Sequence, residues 1–390
     1  MKTGKLFVLF LTHLTVDFYA GLTLPLPEPT LVEHYGASLA RVMLLVATSA
    51  IVCNAIQPIA GFLLPRRPLP ILLWVCPLLS ATVCLMGLSS HYGSGWLFLI
   101  VSAVGIGLVH PEAVLTAQAL SGRRLGMVTS IFMSIGFFGF SLGSLAGGWW
   151  GYRLGLDYFW LLAAPALLTA VLVWTSGLFS VRVPIASVKD DDSRGPIPFA
   201  WIFSLSALMA INLTILYRLL PIYMVRRFGA EAQADAGTLL FLIGLVGAFG
   251  AFVWGALSDR IGAGRTLVAV YLAGLPAVVL LLRMSAPAGG YGWALLVGLT
   301  IGGSFPLAVV LARQAKSVPL RLRLGLCIGG AWGLGELSVI GATAYIDSCP
   351  PGDGAPVLTL LQGAPILMVL VVLLGFRMVG YENTQVFFRR

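Results

Sequence analysis

The chain has 390 residues, 58% hydrophobic and only 10% charged, with a mean hydropathy of +0.95. Soluble domains carry about 25% charged residues, so this composition excludes a water-soluble enzyme, a nucleic-acid-binding module and a disordered chain. The formal charge of +9 and the isoelectric point near 9.6 then matter through where the charges fall along a chain whose surroundings are membrane lipid.

A helix crosses the hydrocarbon core with about 20 apolar residues. Twelve such stretches follow one another, at about 6–27, 41–64, 70–89, 95–120, 125–150, 156–180, 198–223, 236–257, 265–284, 291–313, 322–346 and 356–379. They are continuous and about twice the length of the alternating segments of a membrane barrel, which predicts an all-α membrane protein of twelve transmembrane helices. Turn and charge signals separate them, among them Pro65-Arg66-Arg67-Pro68, Gly122-Arg123-Arg124 and Asp259-Arg260-Ile261-Gly262. Span 1 contains His13 and Asp17 and lacks a small-residue cleavage site, so it reads as a retained helix rather than a signal peptide.

Lys and Arg placement tests the count. With both termini in the cytoplasm, eighteen of the 24 fall on the inner side. Five, Arg41, Arg153, Arg226, Arg227 and Arg283, fall on the outer side, and Arg218 lies inside a span. That skew predicts a multi-pass membrane protein with cytoplasmic N- and C-termini. The five cysteines form no metal-type spacing and read as packing residues.

The longest polar stretch, 182–197, predicts a cytoplasmic linker between an N-terminal six-helix bundle (1–181) and a C-terminal one (198–390). The two halves repeat. Leu24-Pro25 matches Leu220-Pro221, and each segment then reaches an aromatic-Gly pair, Tyr35-Gly36 and Phe228-Gly229. Gly107-Leu-Val-His110-Pro111-Glu112 in span 4 matches Gly302-Gly-Ser-Phe305-Pro306-Leu307 in span 10. Two parallel repeats form the layout of a secondary transporter with its site between them near the midplane. The expected unit is a monomer acting on protons and a small-molecule substrate. Spans 5 and 11 are glycine-dense, at Gly136, Gly139, Gly143 and Gly147, and at Gly329, Gly333, Gly335 and Gly341. Small faces allow close helix approach, either as static packing or as a sliding seam.

Ionisable residues inside a bilayer are costly and commonly functional. His13 and Asp17 are four apart on one face of span 1, and His110 and Glu112 flank Pro111 in span 4. At about 1.5 Å per residue, all four fall roughly 12–18 Å from the inner surface, so they are expected to share one layer. A carboxylate beside an imidazole in a low-dielectric site exchanges protons. Asp17 and Glu112 are therefore the candidate proton carriers, with His13 and His110 as modulators. A fixed network joining the two helices is the structural alternative, and a metal site is a third reading. No further metal ligand is evident, so neither metal nor cofactor is expected.

In the second half Asn212 falls near the position equivalent to Asp17, and Phe305 replaces His110. Arg218 either faces a cavity, favouring an anionic substrate group, or snorkels outward. Glu336 is a lone acid in span 11, and Tyr19, Tyr217, Phe305 and Trp332 could line a substrate pocket. No Gly-x-x-x-x-Gly-Lys-Ser/Thr loop is present, so ATP-driven transport would need another subunit.

At these residues the chain resembles the major facilitator superfamily. The loop Gly255-Ala-Leu-Ser-Asp259-Arg260-Ile-Gly262-Ala-Gly-Arg265 is similar to that superfamily's signature loop, while the equivalent Gly61-Phe-Leu-Leu-Pro65-Arg66-Arg67 lacks the Asp. The resemblance implies gating by Asp259, Arg260 and Arg265, with the Asp capping a helix start and pairing with Arg. Within the superfamily, His13-Leu-Thr-Val-Asp17-Phe-Tyr19-Ala-Gly21 and Gly107-Leu-Val-His110-Pro111-Glu112-Ala113 are similar to the fosmidomycin-resistance-type efflux proteins. That implies proton-coupled export of a small drug or anionic metabolite through spans 1, 4, 7 and 10. The alternatives are an organic-anion importer or uniporter using Arg218, and a metal-dependent intramembrane enzyme. The chain is expected not to be an enzyme.

Overall fold

Helix α1 (Lys2–Leu22) runs straight from the amino terminus until the Leu24-Pro25-Leu26-Pro27 segment removes two backbone donors and ends it. The computed structural model describes residues 2–63, 69–121, 125–181, 198–312, 323, 325–350 and 353–378. The expected linker at 182–197 lies outside them, as do the basic residues at 66–67, 123–124 and 313–321. After α1 come α2 (Leu39–Leu63), α3 (Leu72–Ser80), α4 (Tyr92–Ser121), α5 (Leu125–Leu154) and α6 (Ala164–Ser176). The second half holds α7 (Phe199–Phe228), α8 (Ala232–Ile261), α9 (Ala263–Leu282), α10 (Tyr291–Leu299), α11 (Pro306–Ala312), α12 (Ala331–Asp347) and α13 (Ala355–Met378). No strand occurs among the described residues.

Ten helical segments among the described residues are long and apolar enough to cross a bilayer. The expected spans 3 and 11 are the shorter apolar ones: α3, continued as a 3-10 turn over Ala81–Leu88, and α12. Span 10 departs from expectation. It is broken at 300–305 into α10 and α11. The matching span 4 stays one helix through Pro111. The difference lies in the residues before the proline: Leu108-Val109 in span 4 packs as helix, whereas the matching Gly303-Ser304 adds two poorer helix formers to the donor that Pro306 lacks.

The chain divides into two compact units, Met1–Ser187 with Ala236–Phe241, and Val188–Asp235 with Leu242–Arg390. In the first, the most extensive helix pairing is α1 with α5. It is set by glycine. A methyl group at Gly139, Gly143 or Gly147 would overlap the carbonyl of Leu14, Phe18 or Leu22, and one at Gly21 would overlap that of Phe140. With no hydrophobic drive between helices in lipid, this backbone-to-backbone approach supplies the attraction. On another side, α1 meets α6. Thr15 and Thr169 share a hydrogen bond of 2.9 Å, and the Tyr19 hydroxyl donates to the Leu162 carbonyl (3.0 Å) while accepting from the Ala166 amide (3.1 Å). Lys5 Nζ donates to the carbonyl of Gly177 at the end of α6 (2.9 Å), where a cation also suits the helix dipole. The far face of α6 leaves Leu167, Leu168, Val171 and Trp174 exposed, as a lipid-facing stripe requires.

The second unit repeats this plan with different detail. Its counterpart pairing is α7 with α12. Gly335 makes a close contact there, lying against Thr214 and the Ala210 carbonyl, while Gly333 and Gly341 have open space around them. The glycine seam expected along span 11 thus does not extend to Gly333 or Gly341. Close glycine contacts also join α8 to α10, through Gly250 on Leu299 and Gly298 on Ile243. Both aromatic-Gly pairs end a helical segment, the short turn Val32–Tyr35 and α7: Gly36 and Gly229 take positive φ, 55° and 96°, with different ψ, 36° and 172°, and a positive φ disfavours any side chain.

Substitution should separate the two seams. Gly139→Val forces α1 and α5 apart and lowers stability by about 1–3 kcal/mol, whereas Gly341→Ala is neutral or stabilising by up to ~1 kcal/mol. Thermal unfolding in detergent micelles measures both.

Candidate functional site

Two residues of α1, His13 and Asp17, lie one turn apart on the face that meets α4 and α5. The His13 ring stacks flat on Phe132 of α5, with centroids 3.9 Å apart and planes at 9°. Its Nδ1 lies 2.9 Å from the Phe132 carbonyl and its Nε2 3.2 Å from Asp17 Oδ2. From α4, His110 Nδ1 lies 2.6 Å from the Ile106 carbonyl, and its Nε2 3.0 Å from Asp17 Oδ1. Gly136 makes the room: a methyl group there would overlap Asp17 Oδ2 and the His13 ring. His13 is buried, while the Asp17 and His110 side chains keep 17% and 20% of their surface exposed, so the site is reachable.

Hydrogen-bond valency fixes the chemistry of this triad. A carbonyl only accepts, so both Nδ1 atoms carry hydrogen and donate to backbone. Each neutral imidazole then presents a bare Nε2 lone pair, and the two lone pairs face the two oxygens of one carboxylate. Both contacts are attractive only when two further hydrogens, or a cation, lie between the nitrogens and Asp17. One imidazolium proton satisfies one contact and leaves the other repulsive. With only the two Nδ1 hydrogens in place, the arrangement thus lacks positive charge between the nitrogens and the carboxylate.

Glu112 does not join the triad. It is fully buried, and its Oε2 accepts from the Leu69 amide (3.0 Å), just before α3 begins. Oε1 has no partner among the described residues. The expected four-residue layer therefore contains three residues. The reason is helical geometry: His110 and Glu112 are two apart on α4, about 200° around its axis, so they face different neighbours.

In the second unit Arg218 and Glu336, taken separately from the sequence, form one bidentate pair. Arg218 Nη2 donates to Oε1 at 2.8 Å and Nε to Oε2 at 3.2 Å, and both residues are buried. Snorkelling of Arg218 to the surface is excluded by that burial. Its Nη1 has no partner among the described residues. Nearby in sequence, Asn212 donates to the Leu208 carbonyl of its own helix (2.9 Å) and leaves Oδ1 buried without a partner among the described residues. Phe305 packs on Trp332 with ring centroids 4.9 Å apart, and Tyr217 is half-buried on α7. Tyr19, expected in a substrate pocket, has its hydroxyl committed on both sides, to Leu162 in the turn before α6 and to Ala166 in its first turn.

The signature loop is a turn between α8 and α9. Gly262 holds it with φ 88°, its amide donating to the Ser258 carbonyl (3.0 Å) and its carbonyl accepting from Thr266. Asp259, Arg260 and Arg265 are exposed. The expected capping by Asp259 is not found: it lies in the last turn of α8, and no side chain caps α9.

Two features escaped the sequence. Phe132 and Gly136 shape the triad from α5, yet one looks like ordinary packing and the other like one more glycine of a seam. Arg323, counted among loop charges, is fully buried and its Nη1 donates to the Ala312 carbonyl (3.4 Å) at the end of α11. Its place beside a hydrophobic span offered no signal.

Breaking the buried pair has a defined cost. Glu336→Ala leaves a guanidinium uncompensated and destabilises by about 3–5 kcal/mol, whereas Arg218→Met with Glu336→Leu recovers most of that loss. Unfolding of both variants in micelles checks the difference.

The major facilitator superfamily model matches residues 7–324 of this chain. The chain is 24% identical over 382 residues to the MFS-type transporter YfnC of Bacillus subtilis, covering 95% of this chain and 92% of that protein. It is 25% identical over 362 residues to the fosmidomycin resistance protein of Escherichia coli, covering 87% and 86%. Among solved structures, the nucleoside transporter NupG superposes with a TM-score of 0.76 at 13% identity, covering 96% of this chain and 100% of that one. A bacterial homolog of the human lysosomal transporter Spinster, in an inward-facing and occupied conformation, gives 0.71 at 16% identity, covering 98% and 96%. With the multi-pass helical fold, the internal repeat and the signature loop, the match assigns the chain to the major facilitator superfamily, as a secondary transporter.

Proposed function

We propose that this transporter is a proton-coupled exporter of a small drug or anionic metabolite, working as a monomer in the bacterial inner membrane with both termini cytoplasmic. The observation that carries this reading is the His13–Asp17–His110 triad. With its mobile protons in place, one charge-assisted hydrogen bond, His110 to Asp17, ties α4 to α1, and a second, His13 to Asp17, holds the carboxylate within α1. When the protons leave, two nitrogen lone pairs face a carboxylate, and the His110–Asp17 contact between the helices becomes repulsive. Proton loading and release thereby change how α1 engages α4, which is the coupling that alternating access requires. Asp17, His110 and His13 act together, and Glu112 serves by holding the start of α3. Export of a drug-like molecule is supported by the likeness to the fosmidomycin resistance protein.

Fosmidomycin is accordingly the first probe. In everted vesicles with an imposed pH gradient, Asp17→Asn and His110→Gln are expected to reduce gradient-driven transport at least about tenfold, the scale of losing one essential proton-transfer group. Glu112→Gln retains most of it, because the amide oxygen still accepts from Leu69. Transport at the original rate in both Asp17→Asn and His110→Gln overturns the proton role. Absence of fosmidomycin flux, with pH-driven flux of another anion intact, overturns only the substrate.

A second reading rests on Arg218, whose Nη1 is without a partner among the described residues: an organic-anion importer or uniporter with that atom as anion anchor. Arg218→Lys distinguishes the two. Loss of anion binding with unchanged pH dependence favours the anchor, since Lys keeps the charge but not the planar fork.

A further inference from the structure

We propose that the His13–Asp17–His110 triad is also a binding site for one divalent transition-metal cation, zinc or a borderline neighbour such as cobalt. This does not rest on proton coupling. Three features of the geometry point to it.

The donor set is two imidazole nitrogens and a carboxylate, which suits zinc and cobalt rather than calcium or magnesium. The separations suit a small tetrahedral ion. Bonds of about 2.0–2.1 Å place neighbouring ligand atoms roughly 3.3 Å apart; here His13 Nε2 lies 3.2 Å from Asp17 Oδ2 and His110 Nε2 3.0 Å from Oδ1, and one ligand atom from each residue falls within 4.8 Å of the others, so a small rotation of the exposed Asp17 and His110 side chains closes the set around one ion.

The outer contacts are those of a prepared site. A metal-bound imidazole characteristically donates its other nitrogen to a backbone carbonyl or carboxylate, which fixes both tautomer and ring plane. His13 does so to Phe132 and His110 to Ile106, and Phe132 further clamps the His13 ring by stacking. Both Nε2 lone pairs are thereby turned onto the same carboxylate, the configuration a cation requires and a neutral hydrogen-bond network does not. The carboxylate supplies the negative charge that partly offsets the ion, and the exposed parts of Asp17 and His110 give it a way in. A bound ion would fasten α1 to α4 more firmly than hydrogen bonds do, so the cation is expected to inhibit transport rather than to be carried.

The test uses full-length, tag-free protein in detergent micelles, titrated with zinc chloride by calorimetry and with cobalt chloride by visible absorption. One equivalent of zinc and a cobalt spectrum of tetrahedral intensity are expected. His13→Gln and His110→Gln should each weaken zinc at least about tenfold. The chain has four histidines, and the two outside the triad serve as controls: His34→Gln with His91→Gln leaves binding unchanged. Should a triad variant fail to fold, the wild-type cobalt spectrum still decides, since absence of a stoichiometric d–d band overturns the site. Zinc binding undiminished in folded His110→Gln also overturns it. Zinc binding without any pH-gradient dependence of transport would retain this site and overturn only the proton reading.

Discussion

One carboxylate caught between two imidazoles, each already tied to a backbone carbonyl, governs the first unit of this transporter. In a lipid environment no bulk water relieves a polar group that lacks a partner. The Nδ1 atoms of His13 and His110 are satisfied by Phe132 and Ile106, which leaves both Nε2 atoms with a single possible partner, Asp17. The triad therefore cannot be electrically indifferent. It requires positive charge between its members, whether protons or a metal ion, and its attraction between α1 and α4 depends on that charge.

Glycine makes such an arrangement possible. The stripe on α5 lets the α1 backbone come close enough for Phe132 to reach the His13 ring, and the absence of a side chain at Gly136 leaves the volume that Asp17 and His13 occupy. The same stripe thus has two purposes that its spacing does not separate: most of it joins two helices, and one member shapes a site. The second unit uses the corresponding pairing of α7 with α12 for a different end, bringing Glu336 next to Gly335 onto Arg218. One plan of packing supports a triad that gathers charge in one half and a pair that cancels it in the other.

Pro111 stands between two side chains with separate duties. His110 reaches α1, and Glu112 reaches the start of α3. A change at Asp17 thus bears on a helix whose next residues anchor another element, without any contact between the two acids. This gives the His-Pro-Glu segment a mechanical sense that goes beyond its ionisable groups.

The sequence by itself determined the class of the molecule. Charge scarcity and the length of the apolar runs require membrane helices, and ordered matches such as Tyr35-Gly36 with Phe228-Gly229 reveal the repeat, each glycine supplying a positive φ at a helix end. It also determined that His13 and Asp17 share a face, since a four-residue step on a helix allows nothing else. Tertiary structure alone decided the partners. Helical phase sends Glu112 away from His110, burial joins Arg218 to Glu336 across 118 residues, the Tyr19 hydroxyl is taken by the start of α6 and the turn before it, and Gly303-Ser304 turns a proline that span 4 tolerates into a break. Periodicity states which way a side chain faces along its own helix; which helix stands opposite depends on contacts between residues distant in the chain, and those leave no local trace.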